Sequence, residues 1–285
     1  MLELWYRLVD FALPFEWAHY AFMKNALLAV LLSAPLFGLV GTVVVTNRMA
    51  FFSDVLGHSA LTGIAAGLWL GTGDPLVGMI AFMIVLSVLI TLFKTATRAS
   101  YDTVLGVFFG AVTAAGIVLL SRGGGFAKFT PYLIGDILAV EPSRLYTLAA
   151  LSSAAALYWF CLANKLVLIS VSPVLAFSRR VPALWVQLSF GVLLAVVVGF
   201  SVRLVGILMI NSLLILPAAA ARNLARNVRE FTTWSVAISL VCGVAGLLAS
   251  YYWGAAAGAT IVLFAACFYG VSAVYAWVEQ RGGRR

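Results

Sequence analysis

The feature that most constrains this chain is a series of long apolar runs without charged side chains. Eight uncharged runs are Ala26–Thr46, Pro75–Phe93, Thr103–Ser121, Leu145–Asn164, Val181–Val202, Leu204–Ala221, Phe231–Trp253 and Ala255–Val278, and a further run, Val55–Thr72, is interrupted only by His58. Each run approaches the roughly 20 residues that carry a helix across a hydrocarbon core about 30 Å thick. The sequence therefore predicts an all-α fold, a polytopic transmembrane bundle of about nine spans.

The composition leaves little room for anything else. Apolar residues make up 64% of the 285 residues and charged residues 10%, so we expect residues 1–285 to form a single transmembrane domain embedded in membrane lipid. The formal net charge is +8. Because the basic residues lie between apolar runs and do not cluster beside exposed aromatic residues, they are interpreted as topology signals and no nucleic-acid partner is expected.

The two ends of the chain are predicted to lie on opposite sides of the membrane. Residues 1–25 lack the layout of a cleavable signal peptide and favour an interfacial amphipathic helix. With a cytoplasmic C-terminus, two-thirds of the 18 lysines and arginines fall in cytoplasmic loops. Such an excess is typical of the inner side, so we expect the N-terminus outside and the C-terminus inside.

Ionisable groups are rare inside the runs, and the clearest pair is Asp54 and His58. Charged groups within a span are costly and usually face a cavity or a partner. Four residues apart, the two side chains share one helical face and offer a carboxylate and an imidazole, a partial shell for zinc or manganese. The alternative is structural: Ser53 or Asp54 caps a helix and His58 bonds to a neighbouring helix.

The segment from Val205 to Asn227 has a different layout. A short apolar span is followed by a basic helix that is predicted to begin just after Pro217, over residues 217–230, with Arg222, Arg226 and Arg229 on one side. Such a helix can dock on a cytoplasmic partner protein, or it can rest on anionic lipid headgroups.

The outer segment Tyr132–Val140 is too short to span the bilayer. We interpret it as a short re-entrant or interfacial helix. Its Asp136 carries two open interpretations, because the carboxylate can steer cations or cap local structure.

The chain resembles the permease family of bacterial ABC importers for zinc, manganese and iron, most closely the zinc-uptake members, because these motifs occur in order along it. The matching segments are Arg48-Met49-Ala50, the Asp54/His58 stretch, Tyr101–Gly106, Tyr132–Val140, Val205–Arg226, Ser250-Tyr251-Tyr252 and Gly258–Val262. One departure is the stretch after Lys165, where relatives often carry acidic residues before an alanine and a glycine. Here Ser170–Ala176 contains no carboxylate.

The resemblance implies a bacterial inner-membrane homodimer of the vitamin-uptake class of ABC importers, with two cytoplasmic ATPase subunits and an extracytoplasmic metal-binding protein. It makes Asp54 and His58 candidate metal-path residues, and Asp136 is a weaker metal candidate from the sequence alone. It makes the helix after Pro217 a coupling helix, with the ATPase contact at Arg222, Asn223, Arg226 and Arg229.

The expected function is uptake of a divalent transition metal by alternating access, with zinc as the favoured cargo and manganese or iron as alternatives. The chain has no Gly-x-x-x-x-Gly-Lys phosphate-binding sequence, so ATP hydrolysis is expected on a separate subunit and no cofactor of its own is expected. An ion-coupled secondary transporter is the main alternative, although such proteins bury more carboxylates. An intramembrane metalloprotease is disfavoured, because the chain lacks His-Glu-x-x-His.

Overall fold

The computed structural model describes residues 2–12, 15–71, 73–97, 99–122, 137–205 and 207–282, and every regular element within them is helical. The α-helices are α1 (Leu2–Ala12), α2 (Ala21–Thr46), α3 (Ala50–Trp69), α4 (Pro75–Ala96), α5 (Tyr101–Arg122), α6 (Pro142–Val171), α7 (Pro173–Ser178), α8 (Ala183–Val205), α9 (Ile207–Leu224), α10 (Val228–Trp253) and α11 (Ala257–Gly282). Short 3-10 helices cover Glu16–His19 and Ile137–Ala139. The all-α prediction is confirmed for these ranges.

Seven of the helices in the described ranges are long and apolar enough to cross a membrane: α2, α4, α5, α6, α8, α10 and α11. The other two predicted spans coincide with α3, which carries Asp54 and His58, and with α9, whose described apolar part Ser212–Leu224 is shorter. The chain is thus a helical multi-pass membrane protein. The count of nine spans stays a prediction.

The helices group into two compact units that alternate along the sequence. The first contains the described residues within Met1–Thr42, Asp136–Ala156 and Ser212–Arg285. The second contains those within Val43–Gly135 and Leu157–Asn211. The predicted single domain over residues 1–285 stays a prediction.

Hydrogen bonds from small polar side chains hold the first unit around α2. The hydroxyl groups of Ser235 and Ser239 on α10 donate to the C=O groups of Gly38 and Ala34 on α2, at 2.8 and 2.7 Å. Both serines are buried. These bonds are possible because glycine and alanine let the two backbones approach closely.

In the second unit, α3 is packed against α4 and α5. A β-carbon at Gly63 of α3 would lie 2.9 Å from the Cα of Met79 on α4, so only glycine fits at this approach without a shift of the helices. The hydroxyl of Thr62 donates to the C=O of Val112 on α5 at 2.9 Å. The interior side of α3 includes Phe52 and Leu56, which have no exposed surface. α3 is therefore fixed on two sides.

The break near residue 226 differs from the sequence prediction. α9 continues through Pro217 to Leu224, and α10 begins at Val228, so no single helix covers 217–230. The side chain of Asn227 accepts a hydrogen bond from the backbone N–H of Glu230 at 2.8 Å, and the Glu230 carboxylate accepts one from the N–H of Arg226 at 3.0 Å. This reciprocal cap begins a new helix, and Arg222 and Arg229 lie on different helices as a result.

Candidate functional site

The candidate metal-path residues lie near the start of α3. A tight turn over residues 47–49 connects α2 to α3, and Arg48 adopts a left-handed backbone conformation there, with φ of 56°. α3 then begins at Ala50. Asp54 and His58 lie one helical turn apart, so their side chains leave the same face as predicted from their spacing.

The structure brings these two side chains together. Nε2 of His58 lies 3.7 Å from Oδ1 of Asp54, and the side chains are 43% and 33% exposed, respectively. Two ligands of a tetrahedral zinc ion, each about 2.1 Å from the metal, are about 3.4 Å apart. A divalent cation can therefore contact both atoms after only a small movement of either side chain.

Aromatic rings border the pair. Phe109 on α5 meets the imidazole of His58 edge-on, with ring centroids 5.2 Å apart, and it also contacts Phe51 on α3 at 5.7 Å. These contacts limit the rotamers open to His58 while leaving part of its edge exposed. The pair is therefore polar, partly exposed and bordered on one side by aromatic rings.

The pair by itself is an incomplete metal shell. Among the described residues, no group of three or more histidine, cysteine, aspartate and glutamate side chains could hold a metal ion. Asp136, the weaker candidate, lies outside the described residues. Any ion at Asp54 and His58 must complete its coordination with water or with ligands from elsewhere.

The capping alternative for this pair does not hold. The N-cap of α3 is Met49, without a side-chain hydrogen bond, and Asp54 lies one turn inside the helix. Ser53 donates its hydroxyl proton to the C=O of Ala50 at 2.9 Å. Neither Ser53 nor Asp54 is therefore the N-cap of α3.

The predicted ATPase-contact residues are placed in two different environments. Arg222, Arg226 and Arg229 are exposed, and Nη2 of Arg226 lies 3.9 Å from a carboxylate oxygen of Glu279. Asn223 instead donates its side-chain N–H to the hydroxyl of Ser272 on α11 at 3.1 Å. The three arginines offer a basic surface, whereas Asn223 contributes to the packing of α9 against α11.

A second exposed surface was missed by the sequence analysis. α7 is a short helix capped by the hydroxyl of Ser172, which accepts from the N–H of Leu175 at 3.2 Å. Val174 and Phe177 on it are largely exposed, and Arg180 follows with φ of 55°, in the left-handed region that favours glycine. Serine followed by proline is a typical signal for the start of a helix, so Ser172-Pro173 predicts α7. The signal does not require the acidic residues that this stretch lacks.

Comparison with known proteins gives consistent matches along the chain. The model of the ABC 3 transport family matches residues 19–276. The high-affinity zinc uptake system membrane protein ZnuB of Haemophilus influenzae is 30% identical over 85% of this chain and 91% of its own length. The manganese import system permease protein ScaB of Streptococcus gordonii is 29% identical, over 88% and 90%.

A solved structure extends this similarity to three dimensions. PsaBC from Streptococcus pneumoniae, in complex with Fab, superposes with a TM-score of 0.76 at 28% sequence identity. The match covers 89% of this chain and 91% of that chain. With this coverage, the similarity extends into both compact units.

Proposed function

The chain belongs to the ABC 3 transport family, and on that premise we propose that it is the membrane-spanning permease of an ATP-driven importer that moves zinc into the cell. Family membership makes it a transport subunit and not an enzyme, and its relatives are permeases of zinc and manganese uptake systems. Within the chain, the observation that carries the proposal is the pairing of Asp54 with His58 on α3.

Two ligands suit transport better than a closed cage does. Structural zinc sites use four protein ligands and hold the ion tightly. A carboxylate and an imidazole 3.7 Å apart, each partly exposed, can take an ion that keeps some water and can release it again. We infer that the pair is a transient contact on the metal path, reached and left during alternating access.

The test of this path is metal uptake by variants of each ligand. Asp54→Asn and His58→Gln keep the side-chain size and remove the carboxylate charge or the imidazole. Each should lower zinc uptake at limiting zinc by about 10-fold or more, the scale on which metal sites respond to loss of a supporting group. His19, the only other histidine, lies in the Glu16–His19 helix, so His19→Gln is the matched control. Wild-type uptake in both site variants would remove the pair from the path.

Zinc is proposed over manganese because of the resemblance to the zinc-uptake members of the family. The pair itself suits either metal, since imidazole ligands suit zinc and iron and carboxylate ligands suit manganese, and manganese or iron is the alternative cargo. Uptake of zinc, manganese and iron from an equimolar mixture, measured by mass spectrometry, discriminates the three. Preferential uptake of manganese by the wild-type permease would reject zinc as the cargo.

The ATPase contact is proposed at the basic surface of Arg222, Arg226 and Arg229. These side chains are exposed, and they flank the short break between α9 and α10, where movement of a bound partner can reach both helices. Charge reversal by Arg226→Glu should weaken ATPase binding to the permease. Phe177→Asp tests α7 as the alternative contact. If Phe177→Asp abolishes ATPase binding and Arg226→Glu does not, the contact lies on α7.

The remaining architecture is proposed from the same resemblance. We infer nine spans, with α3 and α9 crossing in addition to the seven apolar helices, in the arrangement of the vitamin-uptake class. The N-terminus then lies outside and the C-terminus inside the bacterial inner membrane, where an extracytoplasmic binding protein delivers the metal.

A homodimer is proposed because α5 presents Gly106 and Gly110 on its surface, with no described atom near either position. Small residues of this kind let helices of two subunits approach closely in lipid. The mass of the detergent-solubilised permease, corrected for bound detergent, tests this directly, and a monomeric mass at all concentrations would reject the dimer.

A further inference from the structure

The first helix is bound to the start of α2 by contacts that converge on two neighbouring residues. The indole N–H of Trp5 donates to the C=O of Lys24 at 3.0 Å, and the hydroxyl of Tyr6 donates to Oδ1 of Asn25 at 2.6 Å. Nζ of Lys24 donates to Oδ1 of Asp10 at 2.6 Å and lies 5.6 Å from the centre of the Tyr6 ring. Lys24 is buried by these contacts.

This pattern shows that α1 crosses the end of α2. On α1 the contacts extend from residue 5 to residue 10, which is about 7.5 Å along the helix axis. On α2 they use only Lys24 and Asn25. If the two helices ran side by side, successive contacts would advance along both helix axes. α2 is long and apolar enough to span the bilayer. If α2 is a span, a helix that crosses its end lies at the level of the membrane surface.

The surface of α1 divides into three stripes with helical spacing. One stripe faces the protein and holds Trp5 and the buried Val9. The second is charged and exposed, and consists of Glu3, Arg7 and Asp10. The third is apolar and exposed, and consists of Leu4, Leu8 and Phe11, with 66%, 53% and 91% of each residue accessible. The apolar stripe is too exposed for a helix that is surrounded by water.

Aromatic side chains surround this end of the first unit. The ring of Tyr20 lies 5.5 Å from Phe22 and 6.2 Å from Tyr251, which in turn contacts Tyr252 at 5.4 Å. Trp253 beside them is exposed. Clusters of tyrosine and tryptophan are typical of the depth at which lipid headgroups meet the acyl chains. This depth favours lipid over a soluble protein as the occupant of the neighbouring apolar stripe.

We propose that α1 is an anchor in the membrane interface, with Leu4, Leu8 and Phe11 inserted among the acyl chains of the leaflet at the start of α2. The charged stripe then faces the headgroups, as in other amphipathic helices that lie in the interface. The contact between Lys24 and Asp10 fixes the anchor to the first span. The inference depends on α2 crossing the bilayer and is independent of the transported metal.

Spin labels on single cysteines test the position of each stripe. The full-length chain, with Cys161, Cys242 and Cys267 replaced by serine, is placed in nanodiscs of phosphatidylethanolamine and phosphatidylglycerol. Labels at Leu4→Cys, Leu8→Cys and Phe11→Cys should collide several-fold more with oxygen than with a water-soluble nickel chelate. Labels at Glu3→Cys and Arg7→Cys on the same helix are the controls, and should show the opposite preference.

Two results would overturn the anchor. If the nickel chelate dominates at residues 4, 8 and 11, the stripe faces water. If both reagents are excluded there, protein covers the stripe, either a second copy or another chain. The contact between Lys24 and Asp10 is tested separately by Asp10→Asn, which should make the spin label at residue 8 more mobile. Unchanged mobility would remove this contact from the proposal.

Discussion

Valine in place of Gly63 tests how closely α3 is held against α4. A β-carbon at residue 63 would lie 2.9 Å from the Cα of Met79 and 3.0 Å from the Cβ of Phe82. Carbon atoms prefer separations of about 3.5–4.0 Å, so the two helices must part by about 0.5–1 Å. Overpacking of this kind costs about 1–3 kcal/mol, and the better helix propensity of valine returns about 0.4 kcal/mol. The net loss is about 0.6–2.6 kcal/mol.

Thermal unfolding of the purified chain in detergent measures this loss. For large domains a change of 1 kcal/mol moves the midpoint by about 2–4 °C, so Gly63→Val should lower it by about 1–10 °C. The control is Gly270→Val on α11, where no described atom beyond the adjacent backbone of α11 lies within 4 Å of the added β-carbon, so the midpoint should stay or rise slightly. Metal uptake should fall with Gly63→Val as well, because α3 carries Asp54 and His58. A Gly63 variant as stable as the Gly270 variant would refute the close approach of α3 and α4.

Two further stability changes follow from single hydrogen bonds. Ser239→Ala removes the hydrogen bond to the C=O of Ala34 and should cost about 0.6 kcal/mol of stability in a bilayer. Ser153→Ala is the control and should cost less, because the Ser153 hydroxyl bonds within its own helix. Equal losses in the thermal midpoint would contradict this. Asn227→Ala removes the cap of α10 and should cost about 1 kcal/mol, most of which Asn227→Ser should restore; a neutral alanine variant in the same assay would show that the cap is dispensable.

Membrane thickness makes the helices of this chain predictable from sequence. In the described residues each predicted apolar run lies largely on a helix, because a run of about 20 apolar residues has no other stable form in lipid. The shared face of Asp54 and His58 is equally local, since it follows from a spacing of four residues. Both predictions required no knowledge of which helices are neighbours.

Other features of the fold and of the candidate site could not be predicted from the sequence. They depend on which helices are neighbours in space, or on local sequence signals that compete. The position of Phe109 beside His58 depends on the packing of α5 against α3, and the bond from Asn223 to Ser272 joins residues 49 apart in sequence. The break before α10 had a local signal in Asn227 and Glu230. The alanine-rich stretch after Pro217 favoured an uninterrupted helix instead, and Pro217 is accommodated inside α9.

Metal transport by the purified assembly tests the central claim most directly. The permease is isolated with the ATPase that co-purifies from native membranes, the pair is reconstituted into liposomes with a binding protein, and zinc accumulation is followed with an internal fluorescent chelator. Zinc should enter only with hydrolysable ATP, and His58→Gln should lower the rate by about 10-fold or more at unchanged ATPase content. Zinc entry without ATP would contradict transport driven by a partner ATPase. Equal rates of entry for the wild-type permease and the His58→Gln variant would contradict a path through Asp54 and His58.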